Sequence, residues 1–296
     1  GDCDVDGDGF SDAVVGAWFW DKAPNNNIGA AYVVFGAEDV EGGDLATPAD
    51  AGAARIDGPN VANAFVGFAV ACAGDVNGDG FDDIAISHYT AEKAYIVLGA
   101  ENFGSPDLSN LGDRGYEIAG AAGGGANVGY SFAPAGDLND DGYDDFAIAG
   151  VVADTQGRTN NGRIFVLPGK ADASDVVLPT DPSAATPALL VLDGSSSEER
   201  LGQIARAGDV DGDGTDDVVL GAYTATPHGT GVAVPGQAWV LFGGGAASVD
   251  LAAIGGNGFS IVGSTRGRDR LGISVSAAGD VDDDGFDDVI VGGDGV

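Results

Sequence analysis

The chain has 296 residues, 52 of them Gly and 11 Pro, with 44% hydrophobic and 8% aromatic side chains. That apolar share excludes general disorder and suffices for a sizeable core, and a glycine content well above the usual ~7% calls for frequent turns. Twelve Lys and Arg against 47 Asp and Glu leave a net charge of −35, and the three lysines, Lys22, Lys93 and Lys170, form no polybasic patch, so nucleic acid and membrane insertion are excluded as partners.

The first element is an acidic loop, DVDGDGFSD at 4–12, followed by the apolar stretch AVVGAW. A long polar loop, WFWDKAPNNNI (18–28), leads to a strand at 30–36 (AAYVVFG) and another at 54–58 (ARIDG). The order then restarts. VGFAVACAG (66–74) precedes DVNGDGFDD (75–83), then IAISHY, almost no loop around 88–93, KAYIVLG (93–99) and YEIAG (116–120). The third round runs VGYSFAPAG (128–136), DLNDDGYDD (137–145), FAIAGV, a loop at 151–161, GRIFVLPG (162–169) and LLVLDG (189–194). An insertion at 178–188, LPTDPSAATPA, reads by composition as a flexible surface loop. The fourth runs LGQIARAG (201–208), DVDGDGTDD (209–217), VVLGAY, a loop at 223–236, QAWVLFG (237–243) and FSIVG (259–263). A fifth begins with LGISVSAAG (271–279), DVDDDGFDD (280–288) and VIVGGD.

The acidic loops start 71, 62, 72 and 71 residues apart, a mean of 69. Each apolar segment is short, rich in Val, Ile, Phe or Tyr, and bounded by Gly, Asp, Asn or Pro, which is strand punctuation. No window keeps a helical apolar stripe over ten residues. Each unit is therefore about four short strands. One four-stranded sheet cannot bury both faces alone, and radial stacking of copies is the β-propeller solution. A parallel β-helix, the runner-up, has shorter repeats. The expectation is an all-β fold in one domain, 1–296, with units at about 1–58, 59–120, 121–194, 195–263 and 264–296.

Asp-x-[Asp/Asn]-x-Asp-Gly-x-x-Asp is calcium-loop chemistry. Calcium takes six to eight hard oxygens at ~2.3–2.6 Å in a flexible cage, and side chains at positions 1, 3, 5 and 9 supply them. Gly at position 6 permits the turn. The expected metal ligands are Asp4, Asp6, Asp8 and Asp12, then Asp75, Asn77, Asp79 and Asp83, then Asp137, Asn139, Asp141 and Asp145. Asp209, Asp211, Asp213 and Asp217 form the fourth set, and Asp280, Asp282, Asp284 and Asp288 the fifth. Strands flank these loops and Glu at position 12 is missing, so this is no EF-hand. Polar turns also favour Asp, Asn and Gly without binding anything. Against that stands the recurrence of positions 1, 5, 6 and 9 in all five copies, where unneutralised carboxylates would repel. Five Ca²⁺ ions are the expected cofactor, lowering the net charge from −35 to about −25.

There is no Met, no leader and no apolar run near the ~18 residues of a membrane span, so the chain reads as a processed product or a fragment. Cys3 and Cys72 form one bridge or stay free; the sequence leaves both open.

These residues resemble the FG-GAP repeat of integrin α subunits and of many secreted bacterial proteins. The FG part is similar to Val66-Gly67-Phe68, Val128-Gly129-Tyr130, Leu201-Gly202-Gln203 and Leu271-Gly272-Ile273. The GAP part is similar to Gly16-Ala17-Trp18 and Gly221-Ala222-Tyr223, without Pro at the third place. The resemblance covers the whole chain and implies a propeller, usually of seven blades, with calcium in the hairpin between strands 1 and 2. It implies ligand binding on the opposite face, in the 2–3 and 4–1 loops. The chain departs in its count: three complete units, most of one before them and half of one after, so that it is an incomplete part of a larger ring or closes with strands not legible in the sequence.

The 2–3 loops vary in length, and variable loops on a rigid scaffold are where binding resides. Trp18, Trp20, Tyr223 and His228 are the candidate ligand-binding residues, although Trp18 and Tyr223 also suit packing between blades. His88 and His228 belong to no metal-hydrolase motif, and the Ser195–Ser197 turn lacks the G-x-S-x-G of a nucleophile elbow, so no enzyme is expected. The expected function is an extracellular or cell-surface adhesion or ligand-binding module whose partner is a protein, a glycan or copies of itself. A building block of a surface layer or filament, and a non-catalytic domain of a larger secreted hydrolase, are the alternatives.

Overall fold

A computed structural model describes residues 3–38, 43–120, 127–139, 141–179, 188–225, 235–244, 248–264 and 269–295. Among them are nineteen strands and five short 3-10 turns, with no α-helix. The first sheet is β1 (Ala13–Ala17), β2 (Ala30–Val34) and β3 (Ala53–Asp57). The second is the meander β4 (Val66–Gly74), β5 (Asp83–His88), β6 (Lys93–Val97) and β7 (Gly115–Gly120). The third repeats it as β8 (Val128–Gly136), β9 (Asp145–Gly150) and β10 (Arg163–Leu167), then, past the small β11 (Val176–Leu178), β12 (Leu190–Asp193). The fourth comprises β13 (Gln203–Gly208), β14 (Asp217–Ala222) and β15 (Gln237–Leu241), then, past β16 (Ser248–Asp250), β17 (Gly258–Val262). Strands β18 (Ser274–Gly279) and β19 (Asp288–Gly292) form the fifth. Successive sheets pack through β1, β4, β8, β13 and β18, and the whole is a partial β-propeller.

The period-2 alternation decides which side chain enters which core. On β5 and β6, Ile84, Ile86, Tyr95 and Val97 face the first sheet, while Ala85, Ala94 and Ile96 face the third. Both faces are covered, so these strands read as continuous apolar runs.

The paired glycines set the spacing between sheets. Gly67, at φ +79°, bulges the start of β4, and a Cβ there would stand 2.3 Å from the Ala30 carbonyl oxygen. A Cβ on Gly16 would stand 2.1 Å from the Gly67 oxygen, and Gly221 meets Gly272 in the same way at 2.2 Å. Backbone therefore touches backbone, and no side chain fits between.

Two features were not legible as strands. β11 leaves the connection between β10 and β12 and pairs in parallel with β7; β16 does the same with β12. The insertion read as a loop from Leu178 onward thus begins inside a strand, with Leu178 buried in the core between the second and third sheets. Its residues 180–187 lie outside the described residues.

Candidate functional site

Among the described residues, the five acidic loops share one set of side-chain-to-backbone hydrogen bonds. The position-1 carboxylate accepts from the N–H groups of positions 5 and 6: Asp75 from Asp79 at 3.0 Å and Gly80 at 2.9 Å, with the same pair in every loop. The position-5 carboxylate accepts from the N–H two residues on, as Asp8 does from Phe10 at 2.8 Å. The position-6 glycines sit at φ +87° to +94°, where a Cβ is strained.

Position 9 has a second role. Asp12 accepts from Val5 N–H and Gly36 N–H, both at 2.8 Å, and Asp83 from Val76 at 3.0 Å and Gly99 at 2.8 Å. Asp145 and Asp217 repeat this with Gly169 and Gly243. Each ties its loop to the corner after the third strand. The glycine there is required because a Cβ on Gly99 would lie 2.4 Å from the Asp82 oxygen.

Burial raises the carboxyl of Asp83 to about 8 and that of Asp145 to about 6, with the neighbouring loop carboxylates adding to the rise. Asp12 and Asp217 move up for the same reason, and Asp6 through burial and the charges of Asp12 and Asp8.

The loops fit a hard divalent ion. Carboxylate oxygens converge within 4.8 Å in the sets Asp4, Asp6 and Asp8; Asp209, Asp211 and Asp217; and Asp280, Asp282 and Asp288. In the second and third loops the amide oxygens of Asn77 and Asn139 take the third position. One Asp6 oxygen is buried and has no hydrogen-bond donor among the described residues.

Successive loops are clasped together by position 8, which the sequence did not flag. Asp82 accepts from Asp4 N–H at 2.8 Å and its own N–H donates to the Asp4 carbonyl at 3.0 Å. Asp144 makes the same pair with Asp75, and Asp287 with Asp209. At the remaining boundary Asp216 pairs with Arg206 at 2.5 Å. Nearby, Cys3 and Cys72 form a disulfide, Cα–Cα 5.9 Å, tying the first loop to β4 across 69 residues.

At the opposite ends of the strands lie the 2–3 and 4–1 loops. Trp18 is 39% exposed and gathers Phe19, Phe65 and Phe68 at centroid distances of 4.0, 5.9 and 5.4 Å. Phe68 reaches on to Tyr130 at 5.8 Å. Phe19 and Phe65 were missed from sequence. Trp20 stacks under the Arg55 guanidinium at 4.2 Å, and Tyr223 under Arg270 at 5.0 Å, so these two are separate from the cluster. His228 lies outside the described residues. Loops 18–28 and 151–161 are conformational copies: Gly29 N–H donates to the Trp20 carbonyl as Gly162 does to Ala153, and Asn27 N–H to Asp21 as Asn160 does to Asp154.

The FG-GAP repeat family matches residues 68–101 and 201–241. Over 95 residues the chain is 38% identical to integrin alpha pat-2 of Caenorhabditis briggsae, covering 32% of this chain and 7% of that protein. Over 161 residues it is 29% identical to integrin alpha-PS5 of Drosophila melanogaster, covering 53% and 15%. The chain therefore matches only a small part of these relatives' length. No helix among the described residues is long and apolar enough to cross a membrane.

Proposed function

We propose that this chain, which carries FG-GAP repeats and is similar in part to integrin α subunits, is an extracellular, calcium-stabilised propeller serving as an adhesion or ligand-binding module. The observation that carries the calcium reading is the fivefold recurrence of one loop geometry, with a buried, donor-less Asp6 oxygen in the first copy. Calcium supplies charge neutralisation there and no chemistry. The holding groups are the carboxylates and amides at positions 1, 3, 5 and 9, from Asp4, Asp6, Asp8 and Asp12 through to Asp280, Asp282, Asp284 and Asp288.

The compartment reading rests on the Cys3–Cys72 bridge, since disulfides persist in oxidising surroundings, and on millimolar extracellular calcium. The recognition face is the exposed aromatic group around Trp18, where amphipathic rings offer contact area to a protein or a glycan. No catalytic role is assigned to any residue.

Calorimetric titration with Ca²⁺ tests the metal, and about five ions bound with Kd around 10⁻⁴–10⁻³ M is the expected result. Capture on protein and glycan arrays, lost in Trp18→Ala with calcium stoichiometry unchanged, tests the face. Ordered self-assembly on adding calcium, with no capture, would replace this reading with a structural building block.

A further inference from the structure

Among the described residues the outer-edge strands β3 and β17 have no covering strand. Edge strands β7 and β12 are each covered by a three-residue parallel strand from the following unit, with Val177 opposite Ala119 and Asp250 opposite Asp193. Strand β3 has the same register: Asp57 lies opposite Ala30 as Asp193 lies opposite Arg163. Yet β3 is the uncovered edge of its sheet. The corresponding connection of the second unit passes it with Pro106, which has no N–H to donate, and its apolar Phe103 and Leu108 are spent in the core. Between that connection and Ala53, Arg55 and Asp57 remains a cavity of about 450 Å³. Glu117 N–H points outward, donating to Asp175 beside β11 at 2.9 Å, and Arg55 occupies the same register on β3.

The charges differ in the same place. On the third sheet Arg163 pairs with Asp193 at 2.6 Å and Arg158, in the 2–3 loop, with Asp250 at 2.7 Å. The second carboxylate is brought by the covering strand β16. On the first sheet Arg55 and Lys22 share Asp57, at 2.7 and 2.8 Å; Lys22 stands where loop 151–161 has Thr155, and Asn25, at the place of Arg158, donates to Asn60. Among the described residues no other carboxylate pairs with either. At this uncovered edge two cations share one carboxylate, whereas at β12 the covering strand brings a second.

We propose that β3 takes an extended polypeptide segment as an added parallel strand, with an Asp or Glu of that segment paired to Lys22. Main-chain hydrogen bonds supply affinity in such strand addition and the charged pair supplies register. The surface lies on the rim and needs neither the aromatic face nor its ligand.

The probe is the heptapeptide SVDLAAI, the chain's own residues 248–254, with SVNLAAI and SVKLAAI as controls, titrated by fluorescence anisotropy against the full chain in 1 mM calcium and 0.15 M salt. The Asp peptide is expected to bind up to about fivefold tighter than the Asn peptide, the ceiling of an exposed ion pair. Lys22→Gln should abolish that preference and Lys22→Glu should reverse it in favour of the Lys peptide, both variants keeping their calcium stoichiometry. A backbone N-methylated Asp peptide should not bind. Equal affinities for the three peptides, no binding at 5 mM peptide, or a preference that survives Lys22→Gln would each overturn the proposal without touching the calcium reading.

Discussion

The two ends of the strands obey different rules. At one end, five loops repeat a single set of side-chain-to-backbone hydrogen bonds, so each acidic side chain is fixed by geometry as well as by charge. At the other, loops 18–28 and 151–161 share a fold, while the second unit closes its corner with the 3-10 turn Tyr89–Ala91. The difference separates two tasks. The uniform end joins neighbouring loops through the position-8 aspartates, and the varied end is free to carry contacts that differ from unit to unit.

Removing the metal should separate the two ends most strongly. At about 1 mM free Ca²⁺ and Kd of about 10⁻⁴–10⁻³ M, each site contributes roughly 0.4–1.4 kcal/mol, and five contribute roughly 2–7 kcal/mol. Chelation should therefore lower the melting temperature by many degrees and speed proteolysis. A melting curve unchanged between excess chelator and millimolar calcium, at matched ionic strength, would reduce the loops to plain turns.

Opening the Cys3–Cys72 bridge with a reductant should cost about 2–5 kcal/mol, read as a shift in the denaturant midpoint. The metal-free protein should also lose stability as pH rises from about 4 to about 8. Asp83 and Asp145 hold protons in the folded state that the unfolded chain has already released, so the folded state binds more protons throughout that window. Calcium should flatten or invert this slope, because it requires the ionised carboxylates, and its affinity should fall as pH falls through the same range. Thermal melts at several pH values, with and without chelator, read both effects. The smallest change belongs to the varied end: Trp18→Ala, at a position 39% exposed, should cost about 1 kcal/mol of stability and leave calcium binding intact.

The strand order and the acidic loops were legible because both depend on neighbours in sequence. Short apolar runs bounded by turn residues, such as Asp83–His88, and the spacing of Asp75, Asn77, Asp79 and Asp83 are local signals. What was hidden depends on contacts between units. Three-residue strands such as Ser248–Asp250 carry too little pattern and pair with a different sheet. The Asp82 clasp uses a residue that looks like one more acid in an acidic loop. Cys3 and Cys72 stand 69 residues apart, and only the packing of adjacent sheets brings their Cα atoms to 5.9 Å. Phe19 and Phe65 join Trp18 from two different loops, which periodicity does not connect.

The clasps at Asp82, Asp144 and Asp287 make the row of acidic loops a one-dimensional lattice, in which a disturbance passes only from neighbour to neighbour. In such a lattice the weakest link sets how far a perturbation travels. Loops one to three are joined by two successive clasps and loops four and five by another, while at the join between these groups Asp216 is turned to Arg206. Filling or emptying one site should therefore be felt along its own group and fade at that join, so that titration of the five sites resolves into a block of three and a block of two.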